Sequence, residues 1–425
     1  MRYVSTRNRD YAVSLSDAIS HGLAPDGGLY VPERFPSLDP EPSAMPHASL
    51  PAVGEWLLRP FFEGDRLANG LGDICKEAFN FPVPLRLLRD DTAVLELFHG
   101  PTAAFKDVGA RFLAGCLSRL NAGADRPLTI LVATSGDTGG AVAAAFHGRP
   151  GVEVVVLYPK GRVSPRQEKQ LTAWGDNVRA LAVRGDFDDC QRLAKSALTD
   201  PQFRTRWRLS SANSINLGRL LPQMVYYATS SLEYQRARGA APGFIVPSGN
   251  VGNATAALWA QRLGLPIREV VFATNENRTL AEFSAGGEWT PHPTVETLAT
   301  AMDVGNPSNM ERIFALSGGI EPARERVRAF LVTNDEIREE IQTGRERWGE
   351  IWDPHTATAA AVRRRVDGSH WILVATAHPA KFEAVVEPLV GETIELPPSL
   401  AELLQRPSSS REIEPELSAL WEAMG

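Results

Sequence analysis

GFIVPSGNVGNATAALWAQRLG, residues 243–264, runs from an apolar stretch of strand length through a glycine-bearing turn into an alanine-rich stretch of helical character. LTILVATSGDTGGAVAAAF (128–146) makes the same passage, and WILVATAHPAKFEAVV (371–386) makes it a third time. Strands that read as continuous apolar runs and alternate with helices predict parallel sheets covered on both faces, so the fold class is α/β. Sites are expected where strand ends meet helix starts.

The turns carry the next signal. Ser248, Gly249, Asn250, Val251, Gly252 and Asn253 offer glycines that admit close backbone approach, N–H groups and a following helix N-terminus, the ingredients of an anion cradle. The same glycines could also serve a tight strand-to-helix turn and nothing more. No Lys-Ser/Thr follows, so the loop is not a nucleotide-triphosphate loop, and the spacing is not that of a dinucleotide fold. SGDTGG (135–140) is a second loop of this kind, with the hydroxyls of Ser135 and Thr138 added.

FHGPTAAFKDVGARF (98–112) places Lys106 in the first turn of a helix read as starting at Pro101 and Thr102, where the dipole disfavours a cation. A lysine beside a helix N-terminus and other cations loses proton affinity and becomes a nucleophile and base able to form an imine. The alternative is a solvated lysine paired with Asp107. A cofactor that needs both a lysine imine and a phosphate cradle is pyridoxal 5′-phosphate.

Composition bounds the rest. The 425 residues, 43% hydrophobic and 22% charged, predict two or three globular domains, and a net charge of −7 gives no footprint for nucleic acid. No apolar run has the length of a bilayer span. The start MRYVSTRNRDYAVSL lacks the pattern of a signal peptide, and Cys75, Cys116 and Cys190 are too few for a disulfide framework or a metal site, so a cytoplasmic protein without bound metal is expected. Residues 32–51 and 406–411 read as loops, the latter before a short closing helix.

FHGPTAAFKD, ATSGDTGG, YPKGRVSP, NSIN with Arg219 after it, PSGNVGN, DPHTATA and ATAHPAKF, preceded by LAPDGGLYVP, follow one another in an order that resembles the threonine synthases from about residue 3 to 390. The resemblance implies a pyridoxal-phosphate enzyme of fold type II, related to the tryptophan synthase β chain: two parallel-type sheets covered by helices, plus an N-terminal extension. It implies a lyase of threonine biosynthesis that converts O-phospho-L-homoserine and water to L-threonine and phosphate, as a monomer or homodimer. The expected domains are 1–90 (N-terminal), 91–212 (small, carrying Lys106) and 213–425 (large, carrying the phosphate loop).

Carried over by residue, the resemblance makes Lys106 the imine-forming lysine and Ser248 to Asn253 the cradle of the cofactor phosphate. Thr376 then faces the pyridine nitrogen and Asp137 the cofactor's 3′ oxygen. Ser135 and Thr138 meet the substrate carboxylate, and Lys160, Asn213, Ser214 and Arg219 meet its phosphate. For Thr376, strand-end packing, for Lys160, solvation, and for Asn213 and Ser214, helix capping remain the plainer readings. Leu217, Gly218, Val251, Ala103 and Arg166 depart from the residues usual in the family, and Pro222 interrupts the helix that follows. Two rivals stand beside this reading: a phospho-lyase that releases 2-oxobutanoate, and a non-catalytic phosphometabolite-binding protein.

Overall fold

In the computed structural model the described residues are 1–44, 47–89 and 91–425. In chain order the strands are β1 Tyr3–Ser5, β2 Ala12–Val13, β3 Tyr30–Pro32, β4 Leu85–Leu87, β5 Thr92–Glu96, β6 Leu128–Ala133, β7 Val152–Pro159, β8 Val178–Val183, β9 Arg208–Ser210, β10 Gly243–Pro247, β11 Glu269–Thr274, β12 Arg328–Leu331, β13 Trp371–Ala375 and β14 Arg411–Ile413. β1, β2 and β3 form a small antiparallel sheet. A second sheet has the order β12-β11-β10-β13-β5-β4 and is parallel except for its β4 edge. A third, β14-β8-β7-β6-β9, is parallel throughout.

Burial on both faces explains the unbroken apolar runs. Every residue of β5, β10 and β13 is buried. Successive side chains still point to opposite faces. Phe244, Val246, Ile372 and Val374 therefore enter a core shared with Ile130 and Val132 of the other sheet, whereas Ile245 and Leu373 enter a second core and Leu131 a third.

The sheets divide the chain differently from the expected boundaries. β5, placed by the sequence in the small domain, pairs with β13 from Thr92 opposite Trp371 to Glu96 opposite Ala375, and so belongs to the sheet of β10 and β11. β14 returns from the C-terminal region to pair with β8. Residues 406–411 thus lead into a strand, and the closing helix Leu417–Met424 then sets Leu420 and Met424 into the third core. Within 32–51 the described residues hold the short 3-10 turn Pro42–Ala44 and the start of the helix Leu50–Leu58, while Met45 and Pro46 lie outside the described residues. The third strand-turn-helix unit departs from the other two: after β13 comes a 3-10 turn, Pro379–Phe382, before the helix Glu383–Val390.

Because Ile372 is fully buried in a strand paired on both sides, Ile372→Ala removes contacts that no neighbour can replace. The variant should lose about 2–5 kcal/mol of stability. A fall in the urea midpoint at unchanged slope checks this, and a loss below ~1 kcal/mol would contradict the packing described.

Candidate functional site

β13 lies between β10 and β5, so the segments that leave the carboxyl ends of these three parallel strands share one edge. The chain after β5 is laid along the end of β13. Leu97 N–H donates to the Ala375 carbonyl (3.0 Å), Phe105 N–H to the Thr376 carbonyl (2.8 Å) and His378 N–H to the Ala103 carbonyl (3.0 Å). Lys106 is then the first residue of the helix Lys106–Leu120, which starts later than the Pro101-Thr102 pair suggested. Thr102 acts differently: its N–H and Oγ1 donate to the two oxygens of Asp107 at 2.9 and 2.7 Å. Asp107 is thereby occupied and buried, and the solvated Lys106–Asp107 pair does not form. The Lys106 side chain is 13% exposed, with its Nζ 3.7 Å from Asp137 Oδ2.

Asp137 opens the helix Asp137–Phe146 directly after β6. The turn before it is held by Thr134 Oγ1, which accepts from the N–H groups of Gly136 (3.0 Å) and Gly139 (2.9 Å), with Gly136 at φ 143°. Burial by itself would raise the affinity of Asp137 for a proton. Lys381, Lys106 and His355 overcome that, and the carboxylate is held well below the usual range. Lys106 is affected in the complementary way: burial lowers its pKa, Asp137 opposes, Lys381 and Arg219 add to the lowering, and the net shift is downward. Arg219 is buried, donates from Nη1 to the Ala212 carbonyl (2.6 Å) and has been pushed down to about 10 by desolvation. It comes this close because residue 109, one turn along the Lys106 helix, is glycine: a Cβ there would sit 2.8 Å from the Arg219 carbonyl and 3.0 Å from its Nε.

The 248–253 loop follows β10 and feeds the helix Gly252–Arg262. Asn250 braces it, donating from Nδ2 to Ser214 Oγ (2.8 Å) and accepting at Oδ1 from Ser308 N–H (2.5 Å), while Asn309 Nδ2 donates to its carbonyl (3.0 Å). The fully buried Arg312 holds Asn309 in turn, donating to its Oδ1 at 2.6 Å and to the carbonyls of Tyr30 (3.1 Å) and Ile215 (2.6 Å). Gly249 is required by close approach: a Cβ would lie 2.6 Å from Met302 Cα. At Gly252 a Cβ would meet Asn309 Nδ2 at 3.4 Å and the Ser214 carbonyl at 3.9 Å, ordinary contact distances that the protein without ligand accommodates. Asn253 Oδ1 accepts from the hydroxyls of Tyr226 (2.6 Å) and Tyr227 (2.7 Å), and its buried Nδ2 has no partner among the described residues. An orphaned amide donor beside a helix N-terminus fits a phosphate. With a buried lysine of lowered proton affinity on the same edge, these residues fit pyridoxal phosphate.

Thr376 is buried directly after β13, its N–H donating to Thr356 Oγ1 (3.2 Å). Lys106, Asp137, Thr376 and Arg219 come together, and so do Ser214 and the 248–253 loop. The two groups are linked, since Gln223 Nε2 donates to the Arg219 carbonyl (2.8 Å) and Tyr226 hydroxyl reaches both Gln223 and Asn253. Ser135 and Thr138 flank Asp137 and are partly exposed, and Asn213 accepts at its carbonyl from Asn216 N–H (3.1 Å) at the start of the short helix Leu217–Leu220. Lys160 stands apart at the end of β7, half exposed and paired with Glu412 at 2.5 Å.

Sequence reasoning missed Lys381, although it lies inside the quoted ATAHPAKF. It also missed His355, whose Nδ1 faces Asp353 at 2.7 Å while Nε2 accepts from Ala301 N–H at 3.1 Å. Arg312 was missed because two of its three partners, Tyr30 and Ile215, come from distant segments. No group of metal-ligating side chains occurs among the described residues, and none of their helices is long and apolar enough to cross a membrane.

Three family models match the chain: pyridoxal-phosphate dependent enzyme over residues 89–376, threonine synthase N terminus over 2–79, and threonine synthase C-terminal over 356–424. The chain is 38% identical to threonine synthase of Escherichia coli, covering 100% of this chain and 99% of that one. Among solved structures it resembles PLP-bound threonine synthase from Brucella melitensis (37% identity, TM-score 0.93, 99% and 98% of the two chains) and threonine synthase from yeast (31%, 0.90, 100% and 98%).

The two loop glycines should respond differently to alanine. Gly249→Ala forces the backbone off Met302 and should cost about 1–3 kcal/mol in the cofactor-free protein, read as a lowered melting temperature. Gly252→Ala should leave that temperature unchanged and weaken pyridoxal-phosphate binding at least tenfold, about 1.4 kcal/mol. Normal cofactor affinity in Gly252→Ala would mean that no phosphate rests there.

Proposed function

The chain belongs to the threonine synthase family of pyridoxal-phosphate-dependent enzymes, and we propose that it converts O-phospho-L-homoserine and water to L-threonine and phosphate. The observation that carries this reading is Lys106, a buried amine of lowered proton affinity at a helix start, on the sheet edge that also bears a glycine loop with an orphaned amide donor at Asn253. When bound, pyridoxal phosphate supplies an electron-withdrawing ring that makes the substrate's α and β protons removable.

The chain's own groups divide the remaining tasks. Ser248 to Asn253 hold the cofactor phosphate. Asp137 would meet its 3′ oxygen, and Thr376 would offer the ring nitrogen a neutral hydroxyl, which does not fix a proton there as a carboxylate would. Lys106 Nζ would take the proton from Cα and then from Cβ, return one to Cγ once phosphate has left, and return one to Cα after water has added at Cβ. Ser135 and Thr138 meet the substrate carboxylate. Arg219, with Asn213 and Ser214, receives the substrate phosphate, and the buried Arg219 Nε without a partner supports that assignment. Lys160 joins them only if its pairing with Glu412 is exchanged for the substrate. Three buried, unpaired cysteines support a cytoplasmic setting, and a monomer or homodimer is proposed.

Incubation with O-phospho-L-homoserine should release phosphate and threonine in equal amounts. Phosphate accompanied by 2-oxobutanoate would instead identify a phospho-lyase. Lys106→Ala should abolish the visible absorbance of bound cofactor and slow threonine formation by about 10²–10⁴-fold; activity within about tenfold of the unaltered protein would remove Lys106 from its role. Arg219→Met should keep the cofactor's spectrum and weaken substrate binding by about 1.5–3 kcal/mol, seen in KM. Loss of cofactor in that variant would assign Arg219 to the wrong anion.

A further inference from the structure

Two lysines meet the Asp137 carboxylate. Lys381 Nζ lies 2.9 Å from Oδ1 and donates to the Thr102 carbonyl at 2.7 Å, while Lys106 Nζ lies 3.7 Å from Oδ2. Their access differs: the Lys381 side chain is 1% exposed and that of Lys106 is 13% exposed. Lys381 is also fixed from several sides. Gln170 Nε2 donates to the same Thr102 carbonyl (3.0 Å), and Arg166 Nη1 donates to the carbonyl of Ala380, the residue before it. An ammonium this deeply buried is expensive unless it is paired. The reaction proposed above gives it no task.

We propose that Lys381 is a positioning residue that takes the Asp137 carboxylate as its own partner and thereby leaves Lys106 an uncharged, reactive amine beside an ionised aspartate. The inference rests on the reading of Lys106 as the imine-forming residue. If Lys381 were neutral, Asp137 would have Lys106 as its contacting cation, and an opposite charge at that distance holds a proton on a lysine. With Lys381 in place, Asp137 has a buried cation at 2.9 Å, and Lys106, 3.7 Å from the same carboxylate, stands beside the cations Lys381 and Arg219. A further charge on Lys106 would add to those cations in a desolvated pocket. Lys106 is acted on by Asp137, Lys381 and Arg219, and Asp137 also by His355; Asp107, whose carboxyl burial pushes up, is faced by Lys381 and by Arg111, which donates to the Glu77 carbonyl (2.6 Å), and His378 faces Lys381.

The test uses cofactor-free full-length protein, in which addition of pyridoxal 5′-phosphate lets the Lys106 nitrogen attack the aldehyde carbon with loss of one water. The rate of imine absorbance is followed from roughly pH 6 to 10, the range between ordinary histidine and lysine values. In Lys381→Met the midpoint should move up by about one pH unit or more, slowing the reaction about tenfold near neutrality with the alkaline plateau retained, and Lys381→Arg should keep the original midpoint. A lowered melting temperature with an unmoved midpoint would overturn the proposal, since packing alone would explain it. A second measurement needs no variant: borohydride reduction of the unaltered protein with bound cofactor, followed by peptide mass analysis, should place the label on Lys106 and leave Lys381 free. Label on Lys381 would overturn the proposal, whereas no label on either lysine would overturn the reading of Lys106 on which it rests.

Discussion

The main-chain hydrogen bond from Phe105 N–H to the Thr376 carbonyl, 2.8 Å long, decides where the site can be. With the bond from His378 N–H to the Ala103 carbonyl it forms an antiparallel bridge beyond the ends of β5 and β13 and delivers Lys106 to the middle of the sheet edge. β10, on the other flank of β13, delivers the glycine loop to the same edge. A lysine imine and a phosphate cradle must be held at opposite ends of one small molecule, and strands on the two flanks of β13, two spacings of about 4.8 Å apart, provide that kind of separation. The antiparallel bridge between Ala104 and Ala377 keeps the lysine loop from swinging off the sheet.

Once the backbone is set, two helix starts polarise the site in opposite senses. Lys106 and Asp137 are each the first residue of a helix. The positive end of a helix dipole favours an anion and disfavours a cation, by about 0.3–1 kcal/mol each. The aspartate is therefore encouraged to ionise and the lysine to lose its proton. Desolvation works against the first tendency and with the second, and so Asp137 has buried cations around it.

Arg166, Gly218 and Val251, read in the sequence as departures from the resemblance, have physical roles in the folded protein. Arg166 stitches the helix Pro165–Thr172 to the segment after β13, facing Glu383 at 3.6 Å and Glu387 at 3.5 Å. Gly218 admits Leu113, whose Cδ1 would lie 2.9 Å from any Cβ at that position. Val251 sits at φ 49°, a left-handed conformation that costs a β-branched residue on the order of 1–3 kcal/mol. Its carbonyl accepts from both N–H (2.8 Å) and Oγ1 (2.7 Å) of Thr255, which, with burial of the valine side chain, holds the turn in place.

The α/β class, the three strand-turn-helix units and the order of the site motifs were legible in the sequence, because apolar runs and glycine turns are local signals read over a dozen residues. Lys106 was legible as a misplaced cation for the same reason. Its partner was not. Whether Lys106 meets Asp107 or Asp137 depends on Thr102 having already bound Asp107, and on which strands become neighbours. The membership of β5 and β14, the pairing of Lys160 with Glu412, and the burial of Lys381 and Arg312 likewise depend on contacts between segments hundreds of residues apart. Local pattern determined which elements form and which residues lie at their ends. Only the tertiary structure decided which charges share a desolvated space, because burial and Coulomb interaction depend on distance in space and not on position along the chain.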